Sequence, residues 1–556
     1  MIVAAILLVV AATVVVGARG TAMRSTSDFL VASRRISPTL NAAAVAGEYV
    51  SAASFLGIAG LVVKDGVGAL WYPVGYAAGY LAMLTLVAAP MRRTGALTVP
   101  DFAEARLGSS RLRRLSAVVV VVIATLYLVP QFVAAGQVLT AIVGSPYWVG
   151  VVLAGAVVAV TLALGGMRAA TYVQAFQFGL KLILFVLPAV WLVFAVGAGT
   201  RTAALEPLPF TMFDSSTPVQ FRLGTTLTVT TPTTVTVDGV PAHLEPGPHE
   251  VRAGSTWVFP AGADVPDVEG LAAPGGEGWV LPLLDPGGGG HGLLATWSVL
   301  VATVLGTMGL PHIVARFHTC ADGRGARRTA AITVALLSVF YLFPGVYGVL
   351  GGVLTPELFL TGGTDTVVVS LPSRVDDGLA GVAFTALLGA GAFAAFLGTS
   401  LGLLLALSGA VSHDLLPGAT VFRLRVAALV AAPLVIGLAL MAGHLDVGAL
   451  VTSAFAVAAS TFCPLLVLGI WWPRLTSRGA AAGMVAGLLA SFGAVGVEIV
   501  LDPPPGLGAI LLALPAVWSV PLAFATMVLV SLRGSPPAWA AAAMLRLHLD
   551  ETGPAR

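Results

Sequence analysis

The stretch from Ala42 to Leu61, AAAVAGEYVSAASFLGIAGL, combines an apolar run of bilayer length with side chains that can bind an ion or a solute. Near its middle stand Gly47, Glu48, Ser51 and Ser54. An unpaired charge in hydrocarbon costs at least about 2.5 kcal/mol. The pattern therefore predicts a helix that is interrupted around Gly47 and Glu48 or that faces a wet cavity, and broken helices of this kind form binding sites near the bilayer midplane.

A second interrupted stretch reads TWSVLVATVLGTMGLPHIVARF. Gly306, Thr307, Gly309 and Pro311 break its apolar run in the way that Gly47 and Glu48 break the first one. The second break falls five spans after the first, and an odd offset gives the two halves opposite orientation, as in an inverted repeat. The alternative is chance, because a small-residue-rich membrane protein with 65 glycines often shows them in pairs.

Three further polar groups lie inside apolar segments. Thr399 and Ser400 offer hydroxyl oxygens of the kind that a hard cation such as sodium requires, although hydroxyls also hold helices together. Lys181 could attract a carboxylate or pair with Glu48, whereas a snorkelling or core-paired lysine is the structural alternative. Glu48 itself could be a cation ligand, a proton carrier or a gate, or it could accept backbone N–H bonds at the break.

Composition requires these residues to be placed by membrane-spanning helices. The chain has 556 residues, of which 57% are hydrophobic and 10% charged, and its mean hydropathy is +0.96. A soluble domain carries about 25% charged residues, so an all-α polytopic membrane protein is predicted. A net charge of +2 gives no reason to expect nucleic-acid binding. Cys320 and Cys463 are too far apart in membrane-proximal sequence to suggest disulfides, and no metal-enzyme pattern appears.

Hydropathy divides the chain into about thirteen spans with one insert. A first helix and a cytoplasmic loop occupy residues 1–39, and a first five-helix repeat occupies 40–199. Residues 200–293 alternate like short strands around turns and predict a small external β-rich insert. A second, inverted five-helix repeat follows at 294–473, then two peripheral helices at 474–532 and a cytoplasmic tail at 533–556. The predicted spans are 1–17, 42–61, 70–89, 115–143, 148–164, 172–196, 294–315, 330–354, 382–411, 426–442, 447–472, 480–500 and 507–532.

Basic residues predict the orientation of these spans. Most of the 28 lysines and arginines fall in loops on one side of the membrane. Because such loops are cytoplasmic, the amino terminus is expected outside, the carboxyl terminus inside and the protein in the plasma (inner) membrane. The first apolar run has no basic residue ahead of it, which favours a retained span over a signal peptide. The exceptions are Lys64, Arg201, Arg222, Arg252 and Arg374 outside, and Lys181 within a span.

Four segments resemble those of the sodium:solute symporter family, closest to its cation/acetate and monocarboxylate branch. They read AGEYVSAASFLGIAGLV, GGMRAATYVQAFQFGLKL, GTMGLPHIVARFHT and LALSGAVSHDL, and they occur in the family's order at matching spans. The resemblance covers nearly all spans but not the insert. It implies a LeuT-type fold, with spans two to six as one repeat and spans seven to eleven as its inverted partner. It also implies symport of a small solute with a coupling cation, no other cofactor and no enzyme activity.

The resemblance carries a sodium site onto the broken second span and the ninth span. The matching positions are Gly47, Val50, Ala395, Gly398 and Thr399. Well-studied sodium-coupled members have two adjacent hydroxyls where this chain has Gly398 and Thr399, and Ser400 could substitute from one position later. The acetate branch is itself poor in hydroxyls here, so the coupling ion could be sodium or a proton.

The resemblance also implies a small carboxylate as the solute. Half-helix amino termini at the breaks present partial positive charge to such an anion, and side chains from neighbouring spans would complete the site. Each has a structural alternative, since aromatic residues anchor span ends and polar residues hold helices together. The predicted substrate residues are Glu48, Ser51, Ser54, Tyr76, Gln131 and Thr307, with Tyr72 and Gln137 as weaker candidates.

Three alternatives remain open on the sequence. A symporter for another solute such as an amino acid is possible, because family motifs specify fold better than cargo. A solute-binding membrane receptor would need a separate signalling partner, since the tail after Leu532 is shorter than a domain. A membrane enzyme is the weakest reading, because no nucleophile with a positioned base appears. The expected partners are a small carboxylate solute, the sodium ion and the lipid bilayer, and the sequence does not indicate an oligomeric state.

Overall fold

Helices make up most of the chain in the computed structural model. It describes residues 1–18, 25–221, 224–252, 254–268, 273–285, 290–361, 363–443, 445, 447–501, 504 and 506–549, so that Arg222 lies outside the described residues. Before the insert lie α1 (Ile2–Ala18), α2 (Thr26–Val31), α3 (Pro38–Tyr49), α4 (Ile58–Asp65), α5 (Trp71–Leu86), α6 (Ala88–Arg93), α7 (Val99–Leu107), α8 (Ser110–Val143), α9 (Tyr147–Ala195) and α10 (Ala198–Leu205). After the insert lie α11 (Gly292–Gly309), α12 (Pro311–Phe317), α13 (Gly323–Phe340), α14 (Pro344–Leu354), α15 (Val367–Val375), α16 (Leu379–Gly409), α17 (Val421–Met441), α18 (Val447–Trp471), α19 (Ser477–Leu501), α20 (Leu507–Ala513), α21 (Ala516–Leu532) and α22 (Ala540–His548).

Eight helical segments among the described residues are long and apolar enough to cross a membrane, or ten if two bent pairs each count as one span. The 49 residues of α9 would extend about 74 Å as one straight helix, more than twice the ~30 Å hydrocarbon core. Gly166, with φ 53° and ψ −145°, divides α9 into two segments. This division falls in the short GGMRAAT connection expected between the fifth and sixth spans, while the total of thirteen spans stays a prediction.

The first break lies between α3 and α4, which are bent by 66°. α3 ends at Tyr49, Val50 leaves the helical region with ψ 84°, and a π-helical turn at Ala53–Gly57 leads into α4. The prediction that Gly47 and Glu48 interrupt the helix was therefore wrong by about three residues. Gly47 serves packing instead, because a Cβ there would lie 2.0 Å from the carbonyl oxygen of Gln174 on α9.

The second break is at Leu310, whose extended backbone (φ −69°, ψ 113°) separates α11 from α12. Pro311 begins α12 and cannot supply the N–H that would continue α11. The eighth predicted span, 330–354, is also discontinuous: α13 ends at Phe340 and α14 begins at Pro344. The last one is bent by 59° between α20 and α21. Proline and its neighbours account for these interruptions better than hydropathy does.

The insert forms two small antiparallel sheets. The strands are β1 (Thr217–Gln220), β2 (Thr225–Val229), β3 (Thr233–Val237), β4 (Val240–Leu244), β5 (Gly247–Val251), β6 (Thr256–Phe259) and β7 (Asp267–Val268). One sheet has the strand order β1-β6-β3-β4 and the other the order β5-β2-β7. Alternate side chains point into a shared core, where Phe213 and Phe259 stack with ring centroids 4.6 Å apart.

Trp279 fastens the end of the insert to the helices. Its indole Nε1 donates to the carbonyl oxygen of Val63 on α4 at 3.2 Å, and its own carbonyl accepts the N–H of Val67 at 2.9 Å. A Cβ at Gly352 on α14 would lie 2.8 Å from the indole ring. The tryptophan is therefore wedged between α4 and α14.

The core around the first break is formed by α3, α9 and α16, which pack against one another. α8, α11 and α18 surround them, with α8 against both α16 and α18, and α11 against α18. Because the side chains on these faces are almost all apolar and buried, the few polar groups among them stand out as candidates for function.

Candidate functional site

A buried ion pair links the two broken segments. The Nε of Arg316 on α12 donates to Oε2 of Glu48 on α3 at 2.5 Å, and both side chains are fully buried. The same guanidinium donates to Thr171 Oγ1 at 2.9 Å and to the Gln174 side-chain oxygen, both on α9. A charge at this depth requires such partners. Sequence reasoning placed Arg316 at the end of its span and did not pair it with Glu48.

Glycine makes room for this carboxylate on the opposite side. A Cβ at Gly402 of α16 would lie 1.5 Å from Glu48 Oε1, which no side chain could tolerate. Among the described residues, Glu48 Oε1 is a buried oxygen without a hydrogen-bond partner, and both ring nitrogens of the buried His312 also lack one. Buried polar atoms are normally satisfied, so these three atoms mark a place where a polar ligand or water can bind.

The side chains that carry those atoms line a cavity of about 30 Å³. Glu48, His312 and Arg316 stand at one part of the lining, and Thr98 and Asp414 at another. The cavity therefore connects the region of the break with the end of α16.

Lys181 on α9 occupies the carbonyl oxygens at the first break. Its Nζ donates to the carbonyl oxygen of Gly47 at 2.5 Å and to that of Val50 at 2.8 Å, and its side chain is 0% exposed. Pairing with Glu48, one of the alternatives for Lys181, is therefore not observed, because Glu48 is bound by Arg316. The last carbonyls of a helix lack partners within it, and the lysine supplies two of the missing donors.

The predicted ion-binding residues of α16 lie beside the break, with different contacts. Thr399 Oγ1 donates to the carbonyl oxygen of Glu48 at 2.5 Å, which brings it to α3 as the prediction requires. Ser400 Oγ is buried without a partner among the described residues. Ala395 is fully buried one turn earlier, and the Gly398 carbonyl accepts a hydrogen bond of 2.7 Å from the Gln174 side chain.

The hydroxyls of Ser51 and Ser54 are held by tyrosines. Tyr127 Oη on α8 donates to Ser51 Oγ at 3.2 Å, and Ser54 Oγ lies 2.9 Å from Tyr341 Oη. Gln131, also on α8, accepts the N–H of Ala52 at 2.9 Å, so a neutral amide oxygen caps the start of the second half-helix. These five side chains form a polar cluster at the break, in which Tyr127 and Tyr341 were missed by sequence reasoning.

Aromatic rings line the other side of this polar cluster. Tyr49 Oη donates to Thr307 Oγ1 at 2.6 Å, while the threonine hydroxyl donates to the Thr303 carbonyl at 2.6 Å. The ring of Tyr76 lies 5.7 Å from that of Tyr49 and 5.1 Å from that of Phe455. Thr307 and Tyr76 therefore reach the break, as the substrate-site prediction requires, whereas Gln137 binds the Gly443 carbonyl at 3.4 Å instead.

A charged cluster ties the end of α16 to α7 and α8. Arg113 contacts Asp101 at 2.9 Å, and Glu104 and Asp414 at 3.0 Å. His413 Nε2 lies 3.1 Å from Asp101. Burial raises the pKa of the Asp101 carboxyl, but His413 and Arg113 outweigh it and hold that pKa below its usual value. The cluster joins three helices at the mouth of the cavity.

The site thus brings together two broken segments, an internal ion pair and a polar cluster in the middle of a helical membrane protein, which defines a transporter of small solutes. Residues 29–228 and 291–487 match the sodium:solute symporter family, well over half of the chain. The chain belongs to the sodium:solute symporter family and is a secondary symporter, not an enzyme. Residues 229–290 of the insert lie outside the matched ranges.

A curated relative is the uncharacterized symporter YwcA of Bacillus subtilis, strain 168. It is 29% identical over 520 residues, which cover 90% of this chain and 88% of that protein. The family prediction is confirmed, and the acetate branch stays a prediction.

Solved structures confirm the predicted LeuT-type fold. A Na⁺-coupled sialic acid symporter in a substrate-bound outward-open state superposes with a TM-score of 0.66 at 14% identity, over 96% of this chain and 97% of that one. Mhp1, a nucleobase-cation-symport-1 family transporter, in a closed conformation with bromovinylhydantoin bound, gives a TM-score of 0.52 at 13% identity, over 93% and 98%. Membership of the family implies sodium as a coupling ion.

Proposed function

We propose that this protein imports a small monocarboxylate such as acetate, propionate or pyruvate by alternating access, driven by a cation gradient. The observation that carries the proposal is the start of the second half-helix at Ala52. Its N–H is held by the neutral oxygen of Gln131 at 2.9 Å, with two serine hydroxyls beside it. A helix amino terminus favours an anion, and here only an uncharged group fills that place.

The surroundings suit a solute with one carboxylate and a short apolar part. Ser51, Ser54 and Gln131 offer hydrogen bonds to carboxylate oxygens, together with the hydroxyls of Tyr127 and Tyr341. The rings of Tyr76 and Phe455 lie on the apolar side. Thr307 positions Tyr49 through their hydrogen bond. Glu48 contributes to the site through its ion pair with Arg316 and not by contact with the solute, since its carboxylate would repel an anion.

The proposed ligands of a coupling cation are the oxygens around the first break, which are open to a metal ion only when the side chain of Lys181 leaves them. Gly47 and Val50 present two carbonyl oxygens to one point, and Thr399 lies against the same segment. Ala395, Gly398 and Ser400 on α16 complete the proposed set. Sodium is the ion that the family implies, and a proton is the alternative.

The proposed orientation is an outside amino terminus and a cytoplasmic carboxyl terminus in the plasma membrane, as the basic loops indicate. In that orientation the mouth of the cavity at Asp414 and Thr98 faces the cytoplasm, and the insert lies outside. Residues 40–199 and 294–473 would be the two repeats whose relative movement opens the site to one side of the membrane at a time.

The test is uptake of labelled acetate into proteoliposomes under an inward sodium gradient, an inward proton gradient, or neither. The proposal expects accumulation above equilibrium with at least one gradient, and competition by unlabelled propionate and pyruvate. Accumulation of no monocarboxylate under either gradient would reject it. Competition by an amino acid but not by propionate would instead support the amino-acid alternative.

A further inference from the structure

The oxygen site at the first break is already occupied by a side chain of this protein. The Nζ of Lys181 lies 2.5 Å from the carbonyl oxygen of Gly47 and 2.8 Å from that of Val50. These are the two backbone oxygens that a bound cation would use at this break. A cation and a lysine ammonium cannot occupy the same point, so the residues present do not fit a sodium ion while Lys181 stands there.

Gly398 is the feature of α16 that admits the lysine. A Cβ at this position would lie 3.0 Å from Lys181 Nζ and 3.0 Å from the Gly47 carbonyl oxygen. It would also lie 2.7 Å from the side-chain oxygen of Gln177 on α9. A hydroxyl-bearing residue at 398 would crowd the ammonium, and a glycine leaves the space that it fills.

The side-chain nitrogen of Lys181 is placed as a bound cation would be. Its side chain is 0% exposed, and its Nζ donates to two backbone carbonyls, whose negative ends face a cation. Gln177 Oε1, a buried acceptor without a partner among the described residues, lies on the same side of Gly398. Glu48 contributes attraction from α3, although its carboxylate is bound by Arg316.

We infer that the ammonium of Lys181 is the resident cation of this oxygen site and takes the place of a sodium ion there. This inference rests on the proposed function only in taking the carbonyl oxygens of Gly47 and Val50 as a cation site. It predicts that removing the lysine side chain creates a sodium site that the native protein lacks.

The experiment counts sodium ions bound to purified protein with ²²Na⁺ in choline buffer, with no solute present. Lys181→Ala is expected to bind one more sodium ion per chain than the native protein, and sodium rather than choline is expected to raise its melting temperature. The control Gln177→Ala, one turn earlier on α9, keeps the ammonium and is expected to match the native stoichiometry. Equal stoichiometry in K181A and the native protein overturns the inference, as does a gain in Q177A.

A double variant covers the case in which K181A does not fold. K181A/G398S fills part of the vacated space and adds a hydroxyl oxygen beside the Gly47 carbonyl, so it is expected to bind the additional sodium ion as well. Stoichiometry equal to that of the native protein in this variant overturns the inference too. Because no solute or gradient is involved, failure of acetate uptake would leave this result unaffected, and the two proposals can fail separately.

Discussion

The guanidinium of Arg316 lies 2.5 Å from the carboxylate of Glu48, across 268 positions of sequence. This contact joins α12, which follows the second break, to α3, which precedes the first. Both side chains are fully buried, so each charge depends on the other as its ionic partner. The pair therefore holds the two discontinuous segments together in this conformation.

Removing one member of this pair should destabilise the protein strongly. Arg316→Met leaves Glu48 buried and unpaired, which costs about 3–5 kcal/mol. Thermal unfolding of the purified protein should show a clear loss, and the double variant E48Q/R316M should recover part of it. Arg327→Met on the exposed face of α13 is the control and should change stability by less than about 0.5 kcal/mol. Equal losses in the single and double variants would contradict a direct coupling.

A carboxylate in place of the amide at the first break should exclude an anionic solute. In Gln131→Glu the new charge would take the Ala52 N–H and repel a bound acid by about 4 kcal/mol at 4 Å and intermediate dielectric. Uptake of labelled acetate should therefore fall at least about tenfold in kcat/KM. Gln137→Glu, on the same helix but bonded to Gly443, should have a much smaller effect. An unchanged KM in Q131E would remove this cluster from the solute site.

The contact between Gly402 and Glu48 should tolerate no added methyl group. Gly402→Ala places a Cβ 1.5 Å from Glu48 Oε1, so the carboxylate or α16 has to shift. Overpacking of this kind costs about 1–3 kcal/mol, and both thermal stability and transport should fall. Gly437→Ala on α17, where nothing lies within 4 Å, should be neutral or stabilising by about 0.5–1 kcal/mol. Similar melting temperatures for the two variants would show that Glu48 moves freely.

Cysteine labelling should report the orientation in the membrane. Both native cysteines, Cys320 and Cys463, are buried and should give little background. Glu245→Cys in the insert should react with an impermeant maleimide in intact cells, because that side chain is 75% exposed. Ser535→Cys in the carboxyl-terminal segment should react only after permeabilisation. The reverse pattern would refute the orientation derived from the basic loops.

Hydropathy and motif resemblance were sufficient to predict the family and the fold, because both depend on long apolar segments and on local sequence. They also indicated the segment around Glu48 as a polar break. Its position was misjudged because Gly47 looks like a helix breaker but serves as a contact surface for Gln174, and only tertiary packing distinguishes these roles.

The partners of the buried charges could not be predicted for a related reason. Sequence shows that Lys181 and Glu48 need partners at membrane depth, but which group supplies each one depends on how separate helices cross. The predicted span 294–315 ends just before Arg316, because basic residues usually lie outside the hydrocarbon. Tyr127 and Tyr341 gave no distinct signal, since aromatic residues are common in such helices.

Trp279 connects the β sheets of the insert directly to the helices that lie in the bilayer. Its indole is bonded to Val63 on α4, the outgoing half of the first discontinuous helix, and packs on Gly352 of α14. If α4 tilts when the site switches between the two sides of the membrane, either the sheets move with α4 or the Trp279 indole leaves its position between α4 and α14. An antibody fragment bound to the sheets would then restrict, from the aqueous phase, the movement of a helix that lies in the bilayer.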